Sequence, residues 1–426
     1  MSADALKTIG DVSPRSRFGP LTPTMGSREP GGHIPALDGV RGVAILLVLI
    51  FHFSVYGHGL TPSGLFIDRL YYRVAGAGWI GVDLFFVLSG FLITGILYDA
   101  KESEHYFRNF YARRVLRIFP LYYGALILFL VILPWLRPDH SGLSSIARDG
   151  VWYWSYLSNV KFAQDGWPQF GAIGHFWSLA VEEQFYLLWP ALVLALNWRQ
   201  LQIACLVCVI AALAVRIALI AQGNNTAAFV LTPARIDALA VGAYIAVTAR
   251  GPEGLHRLSR LALPAAALLS LAVLVVFVLR KGFAGYDPVV STIGLTILAC
   301  LFGSVLLLAL TLARGTLLAR AFDSSFLSFF GRYSYGIYVF HHPILFLKVG
   351  IIPLAIVPGL FGSQLLRQFA FIIAATAVSV GMAFSSWHLF EKQFLKLKKL
   401  FPYHDSQRTD SRVILHERVS IVVERR

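Results

Sequence analysis

The sequence contains few charged residues. Asp, Glu, Lys and Arg together make up 14% of its 426 residues, whereas a soluble domain carries about 25%. Hydrophobic residues reach 57% of the chain. This composition excludes a surface that is mostly in contact with water, and it predicts that lipid surrounds much of the protein.

Cysteine is also scarce. The three cysteines, Cys205, Cys208 and Cys300, all lie inside apolar runs. The Cys205-x-x-Cys208 spacing occurs in redox and zinc motifs, but here it falls in a hydrophobic stretch without a nearby strand pattern. No set of Cys, His and carboxylate residues shows zinc-ligand spacing. We therefore predict neither a disulfide scaffold nor a metal site.

The net charge of +14 raises the question of a nucleic-acid partner. Such binding requires basic residues gathered on one face of a domain. Here Lys and Arg lie between the apolar segments and near the two ends of the chain. The bias of membrane proteins toward positive cytoplasmic loops explains that placement, so we predict no nucleic-acid partner.

Ten segments are apolar and long enough to cross a bilayer, which takes about 20 helical residues. They are residues 35–56, 79–98, 118–136, 176–196, 201–221, 227–248, 261–279, 288–313, 326–347 and 368–390. We therefore predict an all-α, polytopic transmembrane bundle of about ten helices.

The distribution of Lys and Arg predicts that both termini are cytoplasmic and that the protein lies in the inner (plasma) membrane. Residues 1–33 are rich in Ser, Pro, Gly and Arg and contain no apolar core. We expect them to form a disordered cytosolic tail rather than a signal peptide. Residues 34–394 form the predicted membrane domain, and residues 395–426 a polar cytosolic tail.

Ionisable residues inside the predicted helices are functional candidates, because each costs about 2.5–3.5 kcal/mol in the bilayer centre. They are Arg41, His52, Asp83, Glu182, Glu183, Arg216, Arg235, Asp237, Arg332, His341 and His342. Arg41 and His52 lie about 16 Å apart along one helix at 1.5 Å per residue. From the helix directions we expect a polar layer in the outer half, with an arginine beneath it.

Five segments, in this order along the chain, resemble the motifs of the acyltransferase 3 family. They are 34–45 (IPALDGVRGVAI) leading to His52, 81–91 (GVDLFFVLSGF), 114–120 (RVLRIFP), 175–186 (HFWSLAVEEQFY) and 334–343 (SYGIYVFHHP). The resemblance covers residues 34–394, nearly the whole hydrophobic chain.

The resemblance implies a membrane-bound enzyme that moves an acyl group, usually acetyl, from acyl-CoA to a hydroxyl of a carbohydrate. Acyl-CoA would be the donor substrate, with no permanently bound cofactor. The acceptor would be a cell-envelope or exported polysaccharide, such as lipopolysaccharide or peptidoglycan, or a glycolipid. Some members carry an extra hydrolase-like domain after the membrane part, and we expect none here. The membrane unit would then complete the reaction itself or pass the acyl group to a separate protein.

The family pattern assigns roles to the charged residues. His52 would act as general base, because imidazole titrates near neutrality; the alternative is a packing histidine. Arg41 would hold acyl-CoA with its fork of donors, or else it extends to the inner interface. Arg113, Arg114 and Arg117 would bind the phosphates of CoA, although ordinary positive-inside charge explains them nearly as well.

The remaining candidates belong to the predicted polar layer. Glu182 would orient a protonated His52 or bind acceptor hydroxyls, unless it pairs with Arg235 or Arg332. His341 would line the acceptor site. Asp83 and Arg235 would contact the substrate.

Three further expectations concern Arg235 with Asp237, Ser89 and the outer loop. Arg235 and Asp237 are two positions apart and do not face each other on a helix, so each is expected to meet another helix. Ser89 is interpreted as a small packing residue rather than an acyl nucleophile. In the outer loop, residues 151–156 (VWYWSY) predict an interfacial helix, and this loop is also a possible lid.

The competing function is that of a secondary transporter with a polar site near the bilayer midplane. Transporters of that kind also bury charges, and many are built from internal repeats with broken helices. The sequence shows no matching halves.

Overall fold

The computed structural model describes residues 34–57, 63–313, 315–346 and 362–403. The predicted N-terminal tail, and the predicted C-terminal tail beyond Tyr403, lie outside these residues. Within them the elements are helices, which confirms the predicted all-α class.

The described residues contain eighteen α-helices. They are α1 (Pro35–Val55), α2 (Phe66–Ala75), α3 (Gly81–Asp99), α4 (Tyr106–Ile127), α5 (Leu133–Leu136), α6 (Ser141–Arg148), α7 (Gly150–Trp154), α8 (Ser158–Asp165), α9 (Trp177–Ala195), α10 (Trp198–Ala221), α11 (Asn225–Val230), α12 (Thr232–Ala249), α13 (His256–Leu279), α14 (Leu295–Thr311), α15 (Leu317–Phe322), α16 (Ser325–Phe346), α17 (Leu365–Ser386) and α18 (Lys392–Lys396). Turns of 3-10 helix at Gly78–Ile80, Gly174–Phe176 and Leu397–Leu400, and π-helical turns at Leu128–Ile132, Val290–Gly294 and Trp387–Glu391, join or extend them.

Eight helical segments of the described chain are long and apolar enough to cross a membrane. Two other predicted spans, α9 and α16, are also helices, of 19 and 22 residues. Glu182 and Glu183 interrupt the apolar run of the first, and His341 and His342 that of the second. A count of about ten, and the cytoplasmic placement of both termini, stay predictions.

The outside of the bundle is apolar and its inside contains charge. On α13 only Ala262 is buried, whereas Leu263, Leu268 and Leu279 are 64%, 68% and 72% exposed. Soluble proteins rarely leave such large apolar patches in water. By contrast, the charged Arg216 is fully buried. This arrangement identifies a multi-pass membrane protein.

Glycines allow α1 and α16 to touch along their backbones. A Cβ atom added at Gly42 would overlap the carbonyl of Leu327, and one at Gly331 would overlap the carbonyl of Asp38. Small residues permit such close helix crossings in membranes, where packing drives association. The two helices that carry His52 and His341 are therefore held against each other.

A second crossing joins α3 and α12 in the same way. A Cβ atom at Gly90 would overlap the carbonyl of Leu239, and one at Gly242 the carbonyl of Val87. These two helices carry the oppositely charged residues Asp83 and Arg235. The crossing fixes the distance between those helices.

The close approach at Gly242 makes a testable prediction about stability. We expect Gly242→Ala to destabilise the protein by about 1–3 kcal/mol, because the added methyl group forces two backbones apart. Gly381→Ala on α17 is the control, since no atom lies within 4 Å of its Cβ position. The measurement is the thermal midpoint of the purified protein in detergent. Equal midpoints for the two variants would contradict the close crossing.

Candidate active site

Four histidines lie together where α1 and α16 end and α9 begins. His52 Nδ1 is 3.2 Å from His341 Nε2, and the ring centroids of His52 and His342 are 4.5 Å apart. His175, in the 3-10 turn before α9, has its ring centroid 5.0 Å from those of both His341 and His342. We call this region the histidine end of the bundle.

Hydrogen bonds to main-chain carbonyls fix the tautomers of two of these rings. His341 Nδ1 lies 2.7 Å from the carbonyl oxygen of Tyr338, and because a carbonyl only accepts, Nδ1 carries the proton. A neutral His341 then presents a lone pair at Nε2. His52 Nδ1 faces that lone pair and also the carbonyl of Val48 at 3.0 Å, so it too donates. His52 Nε2 is left as an unprotonated nitrogen, able to accept a proton.

A cavity of about 540 Å³ opens beside this cluster, a size typical of small-molecule sites. His52, His175 and His342 line it, while His341 lies behind His52 and is fully buried. Aromatic side chains form a large part of the wall, including Trp79, Trp167, Trp177, Phe229 and Tyr286. The cavity therefore offers broad apolar faces next to a potential base.

The loop between α4 and α9 forms part of the cavity wall. It contains the short helix α7 in the Trp-rich stretch, where a short helix was predicted, and it contributes Trp167 and Gln169 to the lining. Lys161 braces the loop through contacts of 2.7 Å with Asp165 and 3.2 Å with Asp149. Hydrogen bonds to these carboxylates raise the pKa of Lys161 above its usual value. Whether the loop opens as a lid stays a prediction.

Glu182 lies deeper in the bundle than the histidines. Its carboxylate is within hydrogen-bonding reach of the hydroxyls of Ser89 and Tyr186, which also contact each other. The partners of His52 are instead Val48 and His341. The structure therefore brings His341, rather than Glu182, into the position that orients His52.

Arg41 belongs to the opposite end of the helices. Its guanidinium donates to Asp38 at 3.0 Å and lies close enough to interact electrostatically with Glu182 and Arg117. Arg114 is likewise a neighbour of Glu182. We call the region around Arg41, Arg114 and Arg117 the arginine end. The predicted Arg41 and His52 thus occupy different levels of the bundle.

The three arginines of α4 that were predicted to bind CoA have different surroundings. Arg113 donates to the carbonyls of Lys398 at 3.1 Å and Phe401 at 3.0 Å, and its guanidinium lies 4.4 Å from the ring centre of Tyr403. It therefore holds the last described segment, including the first part of the predicted C-terminal tail, against α4. Arg114 has a buried Nε without a hydrogen-bond partner in the described chain. Of these two arginines, Arg114 is better placed to receive a ligand.

Arg117 is stacked on two aromatic rings and has Glu391 as an electrostatic neighbour. Its guanidinium lies 5.1 Å from the ring centre of Trp387 and 6.0 Å from that of Tyr335. Stacking leaves the hydrogen-bonding edge of a guanidinium available. Lys398 is an electrostatic neighbour of Arg113, Arg114 and Arg117. The arginine end therefore gathers several basic side chains, and the carboxylates of Asp38, Glu182 and Glu391 lie among them.

Asp83 and Arg235 form a buried ion pair with a distance of 2.7 Å, and Arg216 pairs with Asp237 at 2.8 Å. The prediction that Arg235 and Asp237 each meet another helix is confirmed. Neither Asp83 nor Arg235 lines the cavity. Arg235 packs beneath its floor, 5.0 Å from the ring centre of Phe229. A direct contact of this pair with substrate stays a prediction.

Two members of the cluster received no role from the sequence: His342 was a candidate without an assigned role, and His175 was not among the candidates. His175 stands at the head of a recognised motif, and that position was the available signal. It is 3% exposed, and neither ring nitrogen has a hydrogen-bond partner among the described residues. The rings of the adjacent residues His341 and His342 both contact the ring of His52, with centroid distances of 4.8 Å and 4.5 Å. Although four imidazoles gather here, the described residues contain no group of three potential ligands arranged to hold a metal ion.

The fold and the site together define a multi-pass membrane protein whose cavity is lined by imidazoles, the side chains best suited to proton transfer near neutral pH. A family model described as an acyltransferase domain, that of acyltransferase 3, matches residues 34–384. The chain belongs to this family, and the resemblance seen in its motifs is confirmed.

Several curated proteins are similar to the chain. Peptidoglycan O-acetyltransferase OatA of Listeria monocytogenes is 28% identical over 360 residues, covering 80% of this chain and 54% of that protein. The putative peptidoglycan O-acetyltransferase YrhL of Bacillus subtilis is 28% identical over 341 residues, covering 75% and 50%. O-acetyltransferase OatA of Staphylococcus aureus is 25% identical over 335 residues, covering 74% and 51%. The chain spans about half the length of these relatives, and no solved structure matches it.

Proposed function

We propose that the protein is a membrane-bound O-acetyltransferase of the inner (plasma) membrane. It would move an acetyl group from acetyl-CoA to a hydroxyl of a cell-envelope carbohydrate. One observation carries the proposal: His52, with an unprotonated Nε2, lines a cavity while His341 holds its other nitrogen. Membership of the family supports acyl transfer, and the names of the relatives support acetyl as the group and a glycan as the acceptor.

The reaction needs a base because a sugar hydroxyl is a poor nucleophile. His52 Nε2 would take the hydroxyl proton as the oxygen attacks the carbonyl carbon of the thioester. The C–O bond forms, the C–S bond breaks, and the proton on His52 passes to the departing thiolate. His341 Nε2 accepts the hydrogen bond from His52 Nδ1–H throughout, so it stabilises the positive charge that His52 gains.

The cavity supports a carbohydrate acceptor. Aromatic faces such as Trp167 and Trp177 offer packing surfaces for the apolar C–H faces of a sugar, and Gln169 and Asn225 add amide groups to the same lining. Small-molecule sites combine apolar walls with a few polar groups that fix orientation in this way.

The arginine end supports an anionic donor. Arg41, Arg114 and Arg117 lie near one another, and guanidinium groups suit phosphate oxygens. Polar side chains lie between the arginine end and the cavity. Ser178 and Glu182 share one face of α9, and the hydroxyl of Ser178 is 2.5 Å from that of Tyr338. The Tyr338 hydroxyl also donates to the carbonyl of His175 at 3.0 Å. In the predicted orientation, donor and acceptor approach from opposite sides of the membrane.

The test of the proposal uses the full chain in lipid vesicles with radiolabelled acetyl-CoA and glycan fragments. We expect label on the glycan and a mass increase of one acetyl group. Label that enters the vesicles without any acetylated product would instead indicate a transporter. If label reaches the glycan only when a second protein is added, that second protein carries the acetyl group from this enzyme to the glycan.

The donor assignment predicts the effect of replacing Arg114. We expect Arg114→Gln to raise the KM for acetyl-CoA about tenfold, since a charge-assisted hydrogen bond to phosphate contributes about 1.5 kcal/mol or more. Arg108→Gln, on the same helix but exposed, should leave the KM unchanged. The measurement is initial rate against acetyl-CoA concentration. An equal change in both variants would show that only the general charge of the surface matters.

A further inference from the structure

Two cations line the cavity at the histidine end. Arg73 comes from the last turn of α2 and Lys281 from the turn after α13. Both residues are exposed. In the described part of the chain, neither forms an ion pair with a carboxylate. The adjacent Arg280 differs, because it pairs with Asp287 at 2.7 Å.

No Asp or Glu belongs to the described lining of this cavity. The nearby carboxylates have other partners: Asp287 binds Arg280, and Asp68 of α2 accepts hydrogen bonds from Ser363 and Gln364. In the described chain, Arg73 and Lys281 therefore line the cavity without an ion-pairing carboxylate. A partly enclosed space with one sign of charge focuses its field and concentrates ions of the opposite sign.

The position of these cations argues against a role in orienting the protein in the membrane. In the predicted orientation the histidine end lies on the non-cytoplasmic side of the membrane. Loops on that side are depleted in Lys and Arg. Cations kept at this end therefore need another explanation. The cavity they line also holds the proposed base, His52, so a bound substrate meets both.

We propose that the acceptor carries an oxyanion, a carboxylate or a phosphate, and that Arg73 and Lys281 bind it beside His52. The inference rests on the proposed function and specifies its substrate class. Arg73 offers a planar fork that matches either oxyanion, and Lys281 offers a point charge. The charged group would fix the acceptor so that one hydroxyl is presented to His52 Nε2. A neutral glycan would lack this anchor.

The experiment compares three acceptors in nanodiscs of uncharged phosphatidylcholine. They are a neutral amino-sugar tetrasaccharide, the same molecule with a carboxylate substituent, and the same molecule with a terminal phosphate. With the wild-type protein we expect the KM of at least one charged acceptor to be about tenfold below that of the neutral one. The preference should weaken as salt rises, because ions screen exposed charges. The better of the two charged acceptors identifies the oxyanion.

Variants assign the preference to the cavity. We expect Arg73→Gln and Lys281→Gln each to raise the KM of the charged acceptor about three- to fivefold, without changing that of the neutral acceptor or kcat. Arg69→Gln is the matched control, since Arg69 is exposed on the same helix and does not line the cavity. An equal loss in Arg69→Gln would overturn the assignment to the cavity.

The outcomes separate this inference from the proposed function. If acetyl is transferred equally well to neutral and charged acceptors, the anionic acceptor is wrong and the acetyltransferase stands. If no acceptor is acetylated by the wild-type protein, the proposed function itself fails, and the inference fails with it.

Discussion

Replacing His52 with glutamine is expected to lower kcat for acetyl transfer by about 10²–10⁴-fold, the usual contribution of a positioned general base. Glutamine is similar in size and polar, so the helix crossing near Gly42 should remain intact. The measurement is the rate of acetylated glycan formation at saturating donor and acceptor. His256→Gln is the control, because His256 is exposed at the start of α13 and remote in sequence from the cluster.

The structure predicts that His341 acts through His52 and does not accept the substrate proton itself. His341→Phe removes the Nε2 lone pair that faces His52 Nδ1, and we expect kcat to fall about 10–100-fold with little change in either KM. His341→Gln, whose side-chain oxygen is also an acceptor, should recover part of the loss and return the pH profile toward that of the wild type.

A His52→Gln protein that still acetylates at the wild-type rate would remove the base from the mechanism. A His341→Phe protein with an unchanged rate and pH profile would remove only the positioning role.

Asp83→Asn is expected to destabilise the folded protein by about 3–5 kcal/mol, because it leaves the charge of Arg235 buried without a counterion. The pair is almost fully inaccessible, with side-chain exposures of 1% for Arg235 and 2% for Asp83. The double variant Asp83→Asn/Arg235→Gln removes both charges together. We expect it to recover most of the lost stability, measured as the thermal midpoint in detergent.

The same double variant decides what the pair does. If Asp83 and Arg235 hold α3 against α12, the neutralised protein should keep its KM for the acceptor. If they bind substrate, as their place in the predicted polar layer suggested, the folded double variant should lose acceptor binding. Asp99→Asn supplies a control, because Asp99 is exposed on α3 and its partner Arg250 directly follows α12.

Much of the helical framework could be predicted from the sequence because a bilayer imposes a simple requirement. A spanning helix needs a long apolar run, and such runs are visible without any knowledge of packing. Helix direction predicted different levels for Arg41 and His52, and the structure places Arg41 at the arginine end and His52 beside the cavity. Glu182, expected in the layer of His52, lies near Arg41 instead. The level of His341 followed from the same reasoning, and its ring contacts that of His52.

The lateral contacts could not be predicted, because they depend on which helix faces meet. The pairing of Asp83 with Arg235 requires α3 and α12 to cross at glycines far apart in sequence. The difference between Arg113 and Arg114 is similar: adjacent residues point about 100° apart on a helix, and only the position of the C-terminal segment shows which one it occupies. His175 joins the cluster through a turn rather than through a regular helix, so its direction had no periodic signal.

Helices α1 and α16 cross near one end of α1 and carry His52 and His341 toward the other end. Their backbones touch where Gly331 meets Asp38, and His52 lies about 21 Å further along α1 at 1.5 Å per residue. A tilt of about 3° around that pivot would displace the imidazole by about 1 Å, enough to break a hydrogen bond of ordinary length. Arg41 stands within one turn of the pivot, between it and His52. A molecule that moved the two helices apart at Arg41 would therefore also separate His52 from His341.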